Sequence, residues 1–390
     1  MITAGDDRVG AATLPDRLGR LALAVIDHRT GRVPRPAWCT YLVCNRCNAR
    51  CGMCDSWRLP RGRELSPEAV SRVFTELGPL DVVRLSGGEP FLREDLAEVA
   101  VAVHEAARPL VLHVTTNGSL PERVLRFAAG FPAPRRLRFL VSFDGMPTTH
   151  DESRGKAVTF ARALETVRGL VALRAEGLDV SANHTVISRR SLEDHDALRD
   201  TLGALGVEVQ VVLAYAETAM YAVSRRGTRA DDLASHDRYP LHPALAGADC
   251  AGFVERLARD AERLSPALRA AKRYYLDGLH QRLTGVARPA PRPRCVALRS
   301  HVRLLPNGDV PVCQFNTEIV GNLTTQRLDD LWRSQLAAEH RAWVDACRGC
   351  WAECEVIPSG IYTGDLLHHT AARAARRAIG GAKRGRGPRT

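Results

Sequence analysis

Cys47, Cys51 and Cys54 form C-x3-C-x2-C within the run Cys47-Asn48-Ala49-Arg50-Cys51-Gly52-Met53-Cys54. Three thiolates on one short loop can hold three irons of a cubane and leave the fourth iron open to a small ligand. Cys44 adds a Cys44-x2-Cys47 pair to Cys51-x2-Cys54, and four thiolates also suit tetrahedral zinc, although only three residues separate the pairs. A ferredoxin-like electron carrier is a third reading. Near the other end stand Cys295, Cys313 and Cys347-x2-Cys350-x3-Cys354. Four of these five can close around a [4Fe–4S] cluster; the expected ligands are Cys295, Cys313, Cys347 and Cys350. Cys354 either replaces one of them or stays a thiol, and zinc remains the alternative metal. With eleven cysteines in a chain expected in the reducing cytoplasm, metal binding is favoured over a disulfide framework.

Polar residues recur where apolar runs stop. Ser86-Gly87-Gly88-Glu89-Pro90 follows one run; Thr115, Thr116, Asn117 and Gly118 follow the next. Ser142, Asp144 and Gly145 end a third, and Asn183 and His184 lie on a fourth. Glycines at a strand end let other groups approach the backbone closely, and Glu89 can fix the turn. Strand ends on one side of a parallel sheet are where ligand-binding groups collect.

Together, the cysteine triplet, the Ser86–Pro90 motif and these strand ends resemble the radical S-adenosylmethionine superfamily over roughly residues 38 to 215. The resemblance implies that the open iron chelates the amino and carboxylate groups of S-adenosylmethionine. One-electron reduction then splits the sulfonium into methionine and a 5′-deoxyadenosyl radical, the protein supplying position and electronic tuning. Met53 stands where an aromatic residue is usual, still an apolar cover for the adenine side. By the same resemblance Ser86, Gly87, Gly88, Glu89, Pro90, Thr116 and Asn117 belong to the cofactor cradle. Ser142 and Asp144 would contact ribose or methionine, Asn183 would lie near the ribose, and Arg154, before Gly155, would be a cation near the cluster or the cofactor carboxylate.

The C-terminal cysteines resemble the single-cluster, twitch/SPASM-like extension of that superfamily. A cluster with four protein thiolates is suited to accept an electron from a substrate radical, which points to two-electron oxidation of a small metabolite such as an aminocyclitol or sugar alcohol. Only 38 residues precede Cys39, against the leader-binding domain common in peptide-modifying relatives, so a small molecule is favoured over a peptide. Alternatives are crosslinking or oxidation of a ribosomal peptide, or epimerisation with Cys250 as hydrogen donor; otherwise Cys250 is a small buried hydrophobe. Gln314 occupies the place of the Asp typical of sulfatase-maturing enzymes, which lowers that reading. The resemblance also implies a flavodoxin- or ferredoxin-type electron donor. Arg303 and Arg225 are candidates for holding an acidic substrate group.

The elements that must position these groups are legible as alternation. Strands are expected at 40–44, 82–86, 111–116, 137–143, 178–187 and 207–213, with helices at 67–77, 93–107, 121–129, 160–176 and 192–205 between them. Ser66 reads as the cap and Pro67 as the first residue of the first helix. Such βαβ repetition predicts an α/β chain, a partial (β/α)6 TIM-like barrel followed by a small α+β iron–sulfur domain. Expected boundaries are an N-terminal extension 1–37, the barrel 38–226, a helical linker 227–294, the auxiliary-cluster domain 295–357 and a C-terminal segment 358–390. In the linker, helices are expected at 252–264 and 266–283, and a Pro- and Arg-rich stretch 287–294 closes it. Around Asn307-Gly308, residues 301–305 and 310–313 predict a hairpin, with a short helix at 328–336.

Hydrophobic residues make up 45% and charged residues 25% of the 390, an ordinary globular balance. Seven of the net +11 charges lie in the last twenty residues, so the remaining chain carries only about +4 and predicts no specific nucleic-acid function. No apolar run reaches the roughly eighteen residues of a membrane span, and the N-terminus has no signal core, which places the protein in the cytoplasm.

Overall fold

The apolar runs do become parallel strands. The computed structural model describes residues 14–216, 241–285, 294–347 and 350–384. Helix α1 (Leu14–Thr30) precedes β1 (Trp38–Cys44), β2 (Val82–Gly87), β3 (Val111–Thr116), β4 (Leu137–Phe143), β5 (Asp179–Val186) and β6 (Val209–Leu213). The crossovers carry α2 (Pro67–Leu77), α3 (Leu96–Ala107), α4 (Pro121–Gly130), α5 (Pro147–Arg154), α6 (Thr159–Ala172), α7 (Arg189–Glu193) and α8 (His195–Gly203). Ser66 caps α2 by accepting the Ala69 N–H at 3.4 Å. That helix buries Val70, Val73, Phe74 and Leu77, an i, i+3, i+4, i+7 stripe on the sheet. Each such side chain contributes about 1.5–3 kcal/mol on burial.

Strand alternation decides which residues face the site. On β4, Leu137, Phe139, Val141 and Phe143 are buried in the core beneath the helices, leaving Arg138, Leu140 and Ser142 on the opposite, concave face. Ala182 and Val186 of β5 likewise face the helices, and Asn183 and Thr185 the concavity.

The chain continues with α9 (Cys250–Asp260), α10 (Pro266–Thr284), β7 (His301–Leu304), β8 (Asp309–Pro311), β9 (Ile319–Asn322), α11 (Leu328–Arg333), α12 (Gln335–Ala346), α13 (Glu353–Tyr362) and α14 (Asp365–Arg384). The sheet order is β6-β5-β4-β3-β2-β1-β7, every neighbour parallel. The protein therefore has an α/β partial-barrel core followed by a smaller C-terminal region of strands and helices.

The expected hairpin at Asn307-Gly308 survives only at its turn, where the Leu305 N–H reaches the Asp309 carbonyl at 2.9 Å. Strand β7 instead joins β1, pairing Trp38 with His301 through Tyr41 with Leu304, and β8 pairs antiparallel with β9. The open edge of β1 explains the choice: His301 stacks on Trp38 with ring centroids 3.9 Å apart and bonds Thr40 Oγ1 at 3.1 Å, while Val302 and Leu304 enter the helix-side core. The helix expected at 328–336 breaks at Ser334, whose hydroxyl caps α12 through the Ala337 N–H at 3.1 Å. Arg225 and most of the Pro- and Arg-rich stretch fall outside the described residues.

Candidate functional site

The cysteine loop leaves β1 and is held from three sides. Gly88 N–H donates to the Cys44 carbonyl at 2.9 Å and Glu89 N–H to the Arg46 carbonyl at 2.7 Å. A Cβ on Gly88 would stand 2.0 Å from that Arg46 oxygen, so the glycine pair serves close approach of the chain to its own cysteine loop. From β3, Asn117 Nδ2 donates to Asn48 Oδ1 and Asn48 Nδ2 to Ser119 Oγ, both at 2.9 Å. From α5, the Arg154 carbonyl accepts Arg50 N–H at 2.9 Å. Asn48 and Ser119 escaped the sequence reading; an amide between the first two cysteines was the available signal.

Glu89 is 1% exposed and binds Thr116 Oγ1 at 2.8 Å, Asn117 N–H at 2.7 Å and Phe91 N–H at 3.2 Å. Burial pushes its pKa up and these donors oppose the rise. It thus fixes its own turn, in which Pro90 is buried, and ties β2 to β3.

Arg154 is the buried cation of the site. Its guanidinium meets the wholly buried Asp144 carboxylate at 2.7 and 2.8 Å, and Ser153 Oγ donates to the same carboxylate at 2.7 Å. Burial pushes the Cys47 thiol up to about 11 and Cys54 up to about 12; neighbouring triplet cysteines add to both rises and Arg154 opposes them. Cys51 is raised by burial and lowered by Arg154, which also hydrogen-bonds it. Such a pocket disfavours bare thiolates, so bound cations are what would keep them ionised.

The backbone N–H groups of Ala49, Ser56, Ala297 and Ala352 oppose the rise that burial causes at Cys47, Cys54, Cys295 and Cys350 respectively. Cys313 accepts two N–H groups, from Phe315 at 3.4 Å and Asn316 at 3.2 Å. Cys44 Sγ donates to the Glu89 carbonyl at 3.4 Å. Cys295 feels the charges of Cys313 and Cys347, Cys313 that of Cys347, and Cys350 those of Cys295 and Cys313. Cys295, Cys313, Cys347 and Cys350 thus share one electrostatic neighbourhood. Burial raises the Cys354 thiol, Glu355 adding to the rise and Arg84 and Arg303 opposing it. Trp351 anchors the last pair: its indole donates to the Tyr275 carbonyl at 2.7 Å and lies over Gly278, where a Cβ would come within 1.6 Å of Cζ2.

The remaining candidates divide. Ser142 and Asn183 are register partners on the concave face, both half-buried, with Asn183 Nδ2 bonded to Thr185 Oγ1 at 2.9 Å. Ser86 and Met53 are also half-buried. The side chains of Thr116, Asn117 and Asp144 are bonded within the protein, to Glu89, Asn48 and Arg154. Cys250, the candidate hydrogen donor, is 5% exposed in an apolar cluster with Val186, Leu213 and Phe253, on the helix-covered side of the sheet opposite Asn183. It is a buried small hydrophobe there. Arg303 is paired with Glu355 at 2.6 Å.

Comparison with known proteins follows the same division of the chain. The radical SAM superfamily model matches residues 41–202, and the SPASM model, an iron–sulfur cluster-binding domain, matches residues 295–351. A probable GTP 3',8-cyclase of Methanothermobacter thermautotrophicus is 27% identical over 318 residues, 78% of this chain and 94% of that protein. An Fe-coproporphyrin III synthase of Methanosarcina barkeri is 31% identical over 167 residues, 40% of this chain and 38% of that protein. Among solved structures, Streptococcus suis SuiB bound to precursor peptide SuiA aligns with TM-score 0.55 at 14% identity, over 87% of this chain and 75% of that one. Native anSMEcpe with bound AdoMet and Cp18Cys peptide aligns with TM-score 0.53 at 14% identity, over 90% and 99%. At that identity the likeness is one of fold. It nonetheless corrects the expectation of a small molecule ahead of a peptide, because chains solved with peptides share this architecture over most of its length. Among the described residues no helix is long and apolar enough to cross a membrane.

Proposed function

For this enzyme, which joins a radical SAM superfamily domain to a C-terminal SPASM domain and uses S-adenosylmethionine with a radical-generating and an auxiliary [4Fe–4S] cluster, we propose a peptide substrate. The reaction is hydrogen abstraction followed by oxidation or crosslinking, the auxiliary cluster taking the electron that leaves. Reductive cleavage of the bound sulfonium supplies the abstracting radical. Cys47, Cys51 and Cys54 would hold the first cluster, with Arg154 neutralising thiolate charge. Ser142 and Asn183 would line the nucleoside side of the concave face, and Met53 would cover it from the loop. Cys295, Cys313, Cys347 and Cys350 would hold the second.

The observation that carries this reading is the parallel pairing of β1 with β7. One end of β1 runs into the cysteine triplet, and β7 lies between Cys295 and Cys313, so adjacent strands of a single sheet support both cysteine sets. Abstraction and electron removal could then act on one substrate without movement between domains. The peptide assignment is supported by the fold shared with SuiB and anSMEcpe, both solved with peptides.

The test is anaerobic incubation of reduced, iron-loaded protein with S-adenosylmethionine and peptides encoded beside its gene. Peptide-dependent 5′-deoxyadenosine, together with a product lacking a pair of hydrogens, is expected. Turnover stimulated by GTP and by no peptide would contradict the proposal.

A further inference from the structure

His184 follows Asn183 on β5 but faces the other way. It is wholly buried on the helix-covered side of the sheet, paired in register with Phe143, the last residue of β4. From it a line of polar groups runs to the site. Ser191 Oγ lies 2.5 Å from the Asp144 carbonyl and 3.3 Å from His184 Nε2, and His184 Nδ1 lies 3.0 Å from His195 Nδ1. The two imidazoles stack with planes 3° apart and centroids 5.3 Å apart, and His195 meets Phe253 of α9 edge-on.

The partners dictate where each proton sits. A carbonyl only accepts, so the Ser191 hydroxyl donates to Asp144 and has only lone pairs left for its other neighbours. His184 Nε2 must therefore carry a proton and donate it to Ser191. Burial keeps both imidazoles neutral, lowering His184 to about 3 and His195 to about 4. The bare Nδ1 of His184 then accepts from His195 Nδ1–H. Beyond Asp144 the same turn is held twice more: Asp144 N–H donates to His150 Nδ1 at 3.1 Å, and Met146 N–H to Asp194 Oδ2 at 2.9 Å. The backbone of Asp144 is thus fixed from behind while its carboxylate grips Arg154 at 2.7 and 2.8 Å. Arg154 in turn hydrogen-bonds Cys51, and its charge opposes the rise at Cys47 and Cys54.

We propose that Ser191 and His184 are positioning residues of the radical-generating site: by fixing the Asp144 backbone they set where the Arg154 guanidinium stands against the cysteine triplet. The inference rests on the reading of Cys47, Cys51 and Cys54 as cluster ligands. Packing beneath the helices asks only for an apolar side chain at position 184, and burying an imidazole there costs desolvation that its bonds to Ser191 and His195 offset. A cation held close to cluster sulfurs eases addition of an electron, because nearby charge and hydrogen bonds set the potential.

The test uses holoenzyme with Ser191→Ala and His184→Leu, which break the line, and with Ser191→Thr and His184→Gln, which keep a hydroxyl and an N–H donor. Redox titration followed by electron paramagnetic resonance reads both clusters, the triplet's signal being the one that shifts on adding S-adenosylmethionine. The triplet cluster's midpoint potential should fall in Ser191→Ala and His184→Leu and return towards the wild-type value in Ser191→Thr and His184→Gln, with the auxiliary cluster's potential unmoved. A lowered denaturation midpoint with both potentials unchanged, or equal shifts at both clusters, would overturn the proposal; where His184→Leu does not fold, Ser191→Ala decides. Nitrogen-15 spectra of histidine-labelled protein give a second reading, with the His184 proton expected on Nε2 and the His195 proton on Nδ1. A His184 proton on Nδ1 would equally overturn it. A wild type with no S-adenosylmethionine-sensitive signal would instead defeat the cluster reading, and the tautomers would still show whether the line to Asp144 exists.

Discussion

Arg154 joins two parts of the site at once: its guanidinium grips Asp144 at 2.7 and 2.8 Å while its backbone carbonyl accepts Arg50 N–H at 2.9 Å. The end of β4 and the cysteine loop are thereby locked together. Asp144→Asn would leave the buried guanidinium without its counter-charge, at a cost of about 3–5 kcal/mol. The expected outcome is a lowered denaturation midpoint and poorer iron retention; an unchanged midpoint would show that Arg154 finds solvent or another partner.

Individual cysteine-to-alanine variants should sort into two groups by iron content. Wild type should hold about eight irons, four per cubane. Loss of Cys295, Cys313, Cys347 or Cys350 should remove about four of them. Cys250→Ala should retain the full complement, since its sulfur lies in an apolar cluster with Val186, Leu213 and Phe253.

Gly278→Ala tests the anchoring of the auxiliary loop from a distance. The added methyl would displace Trp351, beside Cys350, where overpacking typically costs about 1–3 kcal/mol. Auxiliary iron should fall selectively, with the triplet cluster's iron retained; equal loss from both would mean general unfolding.

Three buried histidines predict acid sensitivity. Burial lowers His184 to about 3, and His150 and His195 to about 4, from an ordinary 6.5. An unfolded chain takes up these protons first, so stability should fall as pH drops from 6.5 towards 4, by at most about 1.4 kcal/mol per histidine for each pH unit. Urea denaturation across that window measures the slope. His195→Phe should reduce it, and a flat profile in wild type would contradict neutral burial.

The sequence made the local signals readable: Ser66-Pro67 opening α2, six β-prone runs, and the two cysteine sets. Contacts between distant segments were not readable. Nothing near His301 announces that its ring will stack on Trp38, so β7 looked like half of a hairpin rather than the seventh strand of the sheet. Cys250 shows the same limit, because a thiol's chemistry is visible in one dimension and the side of the sheet it occupies is not. Asp144 and Thr116 look like ligand-binding polar groups at strand ends, yet their partners, Arg154 and Glu89, are internal. A peptide or metabolite preference is not written in the motif residues, whose expected partner is the cofactor.

Anaerobic assay of 5′-deoxyadenosine by dithionite-reduced, iron-loaded protein with S-adenosylmethionine, beside the Cys51→Ala variant, addresses the central claim most directly. Wild type should form the nucleoside and the variant should not. Absence of product from a wild-type sample whose cluster is demonstrably reduced, or equal product from the variant, would contradict the role given to the Cys47, Cys51 and Cys54 loop.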